Sequence, residues 1–298
     1  MGSAVAVGVS AMEAGRTSGA AMTRVVSLLF HDVYETHPSE SGFQGLAADR
    51  YKLTVAEFDA QLAGLARQRT DRPILVTESL PERSRVPYAI TVDDGGVSYY
   101  TRVAERLEAR GWRGHCFVTT GMIGQPGFLD ARQIRDLHRR GHIIGSHSVS
   151  HPTRFSACRR EEMVREWEES RKVLADIVGV AVTAASVPGG YFSPLVASTA
   201  AEAGLQMLFN SEPDTRVRSI AGCTVIGRFM VRAGYPPDFA FKLGGLAPAV
   251  LRREWIVWNA KKILKTVLGD AYVRVTGGDS RRAESLKPSA GDGACRPS

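Results

Sequence analysis

Short apolar runs rich in β-branched and aromatic residues alternate along this chain with longer segments whose apolar positions recur every three or four residues. The runs predict strands at Val25–Phe30, Ile74–Val76, Tyr88–Val92, His115–Thr119, His142–Gly145 and Thr183–Val187. The longer segments predict helices over Thr54–Arg67, Tyr99–Arg110, Asp130–Arg140 and Arg160–Val178. Strands and helices in alternation build parallel strands joined by crossover helices, hence an α/β fold with an open sheet or a barrel. In either architecture chemistry collects at the carboxyl ends of the strands, so those ends are the places to inspect.

Composition refines the outline. A chain of 298 residues, 44% hydrophobic, suits one large core, and no linker interrupts residues 22–270. Residues 1–21 are rich in Gly, Ala and Ser, and residues 277–298 are polar with repeated Gly, Ser and Pro; both read as disordered ends. The first segment lacks a basic start and carries Glu13, so it does not read as a secretory signal, and Met22 is an alternative start. The expected layout is a catalytic domain over 22–250, a basic amphipathic helix region over 251–276, and the two ends.

Charge adds one feature. The formal balance is +7, yet no helix-turn-helix, RNP or finger pattern accompanies it, so nucleic acid is not an expected partner. Part of the excess lies in LRREWIVWNAKKILKTVL at 251–268, where Leu251, Trp255, Trp258, Ile263 and Val267 recur at near-helical spacing among Arg252, Arg253, Lys261, Lys262 and Lys265. Such a helix lies on an anionic membrane surface or packs its apolar side on the domain. No run approaches the roughly 18 apolar residues that cross a bilayer. Cys116, Cys158, Cys223 and Cys295 are scattered without a C-x-x-C pair and read as reduced thiols. The expected location is therefore cytoplasmic, with peripheral contact at the inner face of the membrane.

Two strand ends carry chemistry. In YAITVDDGG at 88–96, a core strand runs into Asp93 and Asp94 and then two glycines. Adjacent side chains of a strand point to opposite faces, so both carboxylates reach one place only if the chain turns there, and Gly95 and Gly96 permit the turn. In GHIIGSHSVSHP at 141–152, His147 and His151 stand four apart, the spacing with which two imidazoles grip one ion. Pro152 disfavours helical geometry at His151, which places the pair in a loop. Two imidazoles and one carboxylate would make a water-activating metal site, with the second carboxylate left to accept a proton.

These segments resemble the polysaccharide deacetylases of the NodB-homology type, carbohydrate esterase family 4. TVDDG at 91–95 is similar to the family's T-F-D-D-G, HSVSH at 147–151 to its H-[ST]-x-x-H, and SVPGGY at 186–191 to its R-x-P-x-G segment. The resemblance covers about residues 25–209 and implies an irregular (β/α) barrel of about seven strands. It implies Asp93 as general base and Asp94, His147 and His151 as ligands of one divalent metal, zinc first, with cobalt, manganese, nickel or iron also compatible. It assigns Pro188, Gly189, Gly190 and Tyr191 to substrate binding, with the Gly189 N–H toward the developing oxyanion. The implied reaction removes acetyl from an N-acetylated amino sugar in a polysaccharide or a lipid-linked or nucleotide-linked precursor.

Two departures from the family pattern stand out. The arginine of the third motif, which orients the base, is Ser186 here; Arg228 in VIGRFMVR follows another apolar strand and is a candidate for that role. No histidine follows His151, so the family's late histidine acid has no counterpart, and His31 in LLFHDV is the substitute, unless it merely pairs with Asp32. His37, His115, His138 and His142 do not extend the ligand spacing and are expected to be structural or exposed. The rival readings are a hydrolase of a non-sugar amide or cyclic imide on the same scaffold, and a carbohydrate-binding or assembly protein without activity. Oligomeric state is not legible.

Overall fold

Every residue of Val26–Phe30 is buried, as in a parallel strand covered on both faces. In the computed structural model, which describes residues 24–76, 85–260 and 262, this segment is β1. It is followed by β2 (Val33–Tyr34), β3 (Leu53–Thr54), β4 (Tyr88–Val92), β5 (His115–Val118), β6 (Ile143–Ser146), β7 (Ala184–Ser186), β8 (Met207–Phe209), β9 (Val217–Ile220), β10 (Cys223–Ile226) and β11 (Phe229–Met230). β2 and β3 pair separately; the other nine strands form one sheet in the order β11-β1-β4-β5-β6-β7-β8-β10-β9. Neighbours are parallel throughout except β9, which runs antiparallel to β10.

The sheet curls toward closure. β10 and β11 belong to opposite sides of the strand order, yet only Gly227 and Arg228 separate them in the chain. Three residue steps span roughly 11 Å at most, so the two sides approach closely there. A second stitch lies on the same seam, where Val25 N–H donates to the Thr215 carbonyl at 2.8 Å and Arg24 bridges Arg216. The result is the irregular α/β barrel, with eight parallel strands where about seven were expected.

Strand parity sorts the side chains. Val26, Leu28, Phe30, Tyr88, Ile90, Val92, Cys116 and Val118 pack outward with the helices, in a cluster that includes Phe58, Leu62, Val103, Leu107, Ile134 and Leu137. Val25, Ala89, Phe117, Ala184, Met207, Phe209 and Ile226 cluster on the other side with Ile74 and Val76. Ile74–Val76 is therefore not the strand its β-branched residues predict: it is a plug. Ile74 N–H donates to the Tyr88 carbonyl at 2.7 Å and Val76 N–H to His115 Nε2 at 2.9 Å, so its polar backbone is satisfied without a ladder.

The four predicted helices are present as Val55–Gln68, Tyr99–Glu108, Ala131–Arg139 and Arg160–Val178, the second opening with a π-helical turn at Tyr99–Val103. Thr54 with Glu57 and Asp130 with Gln133 form reciprocal caps that fix two of the starts. Pro194–Glu202 and Phe239–Gly244 are further helices. A last helix begins at residue 248 rather than 251 and continues to 260. Residues 1–23, 261 and 263–298 lie outside the described residues, and with them the expected terminal extensions and the rest of the basic segment. Cys116 and Cys223 are buried free thiols, but Cys158 is disulfide-bonded, against the expectation of four reduced cysteines. Among the described residues no helix is long and apolar enough to cross a membrane.

Candidate active site at the strand ends

Register brings the strand ends level: Phe30 pairs with Val92, Ser146 with Ala185 and Val118, Ser186 with Phe209, and Phe209 with Ile226. The residues that leave these ends are His31, Asp93 and Asp94, His147, Pro188, and Gly227 with Arg228. The chain turns at Asp94, which has φ of 77°, and Gly95 repeats that value. Gly96 is required for a different reason: a Cβ there would stand 1.9 Å from Asp32 Oδ1.

Asp93 is buried and held from two sides. Arg228, with no exposed surface, donates through Nη1 to Asp93 Oδ1 at 2.7 Å and through Nη2 to Oδ2 at 2.8 Å. This is a bidentate pair, so Arg228 stands where the candidate base-orienting arginine was expected. The guanidinium is itself fixed, since Nε donates to the Asn210 carbonyl at 2.9 Å and Nη1 also reaches Thr91 Oγ1 at 3.2 Å. Ser186 Oγ donates to Asp93 Oδ1 at 3.1 Å. Burial pushes the Asp93 carboxyl up, but the charges of Arg228 and His147, the Arg228 hydrogen bonds and the charge of His31 hold it below the usual carboxylate range. It is ionised at neutral pH.

Asp94, His147 and His151 converge. Asp94 Oδ1 lies 3.4 Å from His147 Nε2 and 3.6 Å from His151 Nε2, and the three donor atoms lie within 4.8 Å of one another. Donors on about 2.1 Å arms of a tetrahedral ion are about 3.4 Å apart, so the spacing suits zinc-like coordination. The tautomer suits it too. His147 Nδ1 sits 3.0 Å from the Ser186 carbonyl, which only accepts, so Nδ1 carries the hydrogen and Nε2 offers its lone pair. Nδ1 is also 2.6 Å from Ser186 Oγ, which makes Ser186 a link between His147 and Asp93. Burial pushes Asp94 up, and when the imidazoles are protonated a hydrogen bond from His147 with the charges of His31, His151 and His147 holds it far below its ordinary value.

The remaining predicted residues are placed as follows. His31 leaves β1, stacks on Tyr51 with ring centroids 5.2 Å apart, and keeps Nδ1 buried without a hydrogen-bond partner. It lies near enough that protonation of its ring would lower both Asp93 and Asp94. It does not pair with Asp32, whose carboxylate accepts from Ser41 Oγ at 2.5 Å and Ser98 Oγ at 2.7 Å. Pro188–Gly190 form a single 3-10 turn after β7 in which Gly189 has φ of 63°, and a Cβ on Gly189 would stand 2.8 Å from the Thr153 carbonyl. Tyr191 ends that turn with Arg154 over its ring at 6.0 Å. His115 and His142 are buried and fully hydrogen-bonded, and burial pushes each down to about 4. His37 caps a short 3-10 helix.

Sequence reasoning missed the support beneath the histidine loop. Ser148 and His151 have φ of 65° and 51°, the left-handed region that side chains other than glycine rarely enter. Glu166, on the Arg160–Val178 helix, holds that shape: Oε2 accepts Val149 N–H at 2.8 Å and Ser150 N–H at 2.9 Å, while Oε1 accepts Ser150 Oγ–H at 2.6 Å. One turn on, Ser170 accepts from Ser146 Oγ at 2.7 Å, Ser148 N–H donates to Ser146 Oγ, and Ser148 Oγ accepts His151 N–H. The available signal was a glutamate on the apolar side of a helix, at i,i−4 from a serine. Phe43 adds a wall 5.0 Å from the His151 ring.

Comparison with known proteins agrees with this geometry. Residues 82–208 match the family model described as polysaccharide deacetylase. A putative polysaccharide deacetylase, YxkH of Bacillus subtilis (strain 168), is 25% identical over 145 residues, which cover 49% of this chain and 51% of that relative. The chain thus spans about half the length of the curated relative. Among solved structures, the Streptococcus pyogenes deacetylase PplD in complex with acetate is similar with TM-score 0.60 and 17% identity, covering 73% of this chain and 96% of that one. IcaB from Ammonifex degensii gives 0.58 and 20% over 75% and 97%, and the Bacillus cereus polysaccharide deacetylase BC0361 gives 0.61 and 18% over 74% and 69%. At these identities the structures speak for the fold. The two strand-end motifs, the barrel and the family model matched over residues 82–208 together make the chain similar to the polysaccharide deacetylase family.

Proposed function

We propose that the protein is a metal-dependent N-deacetylase of an N-acetylated amino sugar, in a polysaccharide or a lipid-linked or nucleotide-linked precursor. The observation that carries the reading is the division of two adjacent buried carboxylates: Asp93 is paired with Arg228, while Asp94 faces His147 and His151. Asp94, His147 and His151 would hold one divalent ion, zinc first by its fit to two imidazoles and a carboxylate. When bound, that ion supplies Lewis acidity toward the amide carbonyl and toward water.

The chain's own groups do the rest. Asp93 Oδ2 faces the ligand cluster, 4.0 Å from His147 Nε2, and takes the proton of the attacking water. Arg228 keeps that carboxylate ionised and fixed in orientation, so no reorganisation is needed when the proton arrives. The Gly189 N–H is the candidate donor to the developing oxyanion, in a turn where the absence of Cβ lets the backbone come close. His31, with one nitrogen unpartnered, is the candidate that returns a proton to the departing amine.

The test uses the purified full chain. Elemental analysis should find about one metal per chain, and incubation with N-acetylglucosamine oligomers should release acetate. Asp93→Asn should abolish release with metal retained. Metal bound but no acetate from any N-acetylated sugar would move the assignment to another amide or cyclic imide, and full activity of Asp93→Asn would remove the base.

A further inference from the structure

The last helix has two unlike sides. Leu251, Glu254 and Trp258 turn toward the domain: Leu251 packs on the main core, Glu254 accepts the Tyr235 hydroxyl at 3.1 Å, and Trp258 Cη2 stands 3.5 Å from where a Cβ on Gly190 would be. The opposite side carries Trp255 and Ile256, exposed by 54% and 46%, beside the exposed Arg252 and Arg253. Adjacent large apolar side chains left in water on an otherwise packed helix mark a surface for something else.

We infer that this side is a docking face for an anionic membrane surface. The chemistry fits that occupant. An indole and an aliphatic side chain flanked by guanidinium groups match the boundary between acyl chains and anionic headgroups. Glu254 turns inward and offsets Arg253 alone, at 2.9 Å from Nη1, which leaves the exposed side positive. Size argues against a protein partner, because a stable interface covers about 800 Å² on each side and two apolar side chains do not approach that. A weak, reversible insertion needs no more than such an anchor plus charge.

Docking through this helix has a spatial consequence that rests on the deacetylase reading. The side facing the domain touches the Pro188–Tyr191 turn through Gly190, and Lys262 Nζ lies 3.7 Å from Glu212, whose carbonyl accepts the Arg228 backbone N–H. A helix is about 10 Å across, so the candidate substrate turn would lie about that far from the headgroups. A substrate carried at the membrane surface, as on a lipid-linked precursor, is then the class this site meets first.

Sedimentation of the full chain with vesicles tests the docking independently of catalysis. Binding is expected to vesicles of phosphatidylcholine with about a third phosphatidylglycerol, to be absent with phosphatidylcholine alone, and to weaken at high salt. Trp255→Ser with Ile256→Ser should lower affinity about tenfold, and Arg252→Gln about fivefold, with unchanged thermal melting. No sedimentation with anionic vesicles, equal binding to neutral ones, or indifference to both substitutions would overturn the inference. So would lipid-free self-association, or capture by an insoluble N-acetylated polysaccharide, that the same substitutions abolish while vesicle binding persists. Should docking hold while no amino sugar is hydrolysed, the membrane face stands and the catalytic reading falls.

Discussion

Replacing Arg228 by methionine isolates the most consequential contact in the site. The guanidinium has no exposed surface, Asp93 is 3% exposed, and two charge-assisted bonds of 2.7 and 2.8 Å join them. Removing the cation leaves a buried carboxylate without its partner, which costs about 3–5 kcal/mol. For a chain of this size that corresponds to a fall of roughly 10 °C in melting temperature. The pH dependence is diagnostic. In the native chain Asp93 is held below its ordinary value, so the pair contributes at pH 7 and its contribution is lost as pH falls through the folded pKa. In the variant the first effect acting on Asp93, burial, goes unopposed by Arg228 and the carboxyl moves up, so stability is lost as pH rises through that new value. The deficit of Arg228→Met should therefore widen between pH 4 and pH 7. Urea unfolding of the metal-free chain across that range measures it, alone and with Asp93→Asn. If Arg228→Met costs as much when Asp93 is already asparagine, or if the deficit does not vary with pH, the stabilisation does not come from this pair.

Three further outcomes follow from contacts around the site. Glu166→Ala leaves the N–H groups of Val149 and Ser150 without their acceptor; zinc affinity, read by chelator competition, should fall about 10- to 100-fold, and an unchanged affinity would show that the loop needs no clamp. Ser186→Ala removes a hydrogen bond of 3.1 Å to Asp93 worth about 1 kcal/mol; the acidic limb of the rate profile should move up by less than about one pH unit, with metal retained, and a downward move would contradict the assignment. His115 and His142 are buried neutral with values near 4, below the unfolded 6.5, so the unfolded chain binds more protons between those values and stability falls as pH drops from 6.5 to 4, by up to ~3 kcal/mol for each. In metal-free protein, His142→Asn should flatten that acid slope; an unaltered slope would place the proton uptake elsewhere.

The sequence was most legible where one local rule decides. Tyr88–Val92 and Arg160–Val178 have the ends that apolar pattern and flanking residues predict. Asp93, Asp94, His147 and His151 were legible as candidates because acids and imidazoles follow two strands at short spacings, and the structure brings donor atoms of Asp94, His147 and His151 within 4.8 Å of one another. Legibility ended where long-range pairing decides. Ile74–Val76 has strand composition, but its partners are the Tyr88 carbonyl and a histidine ring 39 residues on, which no periodicity encodes. β9 and β11 were hidden for a similar reason: each is short, β9 is only half-buried, and β11 exists because the seam brings it beside β1. Glu166 was hidden because a glutamate in a helix of alternating charges looks like one more solvated residue until the loop it serves is located.

Arg228 shows why a site can be partly readable without its parts being neighbours in the chain. A buried carboxylate needs a cation at a stated place, and the fold permits any residue whose side chain reaches that place to supply it. Ser186 and Arg228 leave the ends of β7 and β10, and the curl of the sheet brings both to Asp93. At position 186 a small hydroxyl leaves the volume beside Asp93 to the Arg228 guanidinium and spends its own oxygen on His147 Nδ1 and Asp93 Oδ1. The seam makes the approach from β10 possible: where the chain steps from one side of the sheet to the other, the Arg228 side chain passes over Phe117 and reaches the carboxylate. The charge is thus supplied across the seam, so orientation of the Asp93 carboxylate and integrity of the seam are one property of the fold.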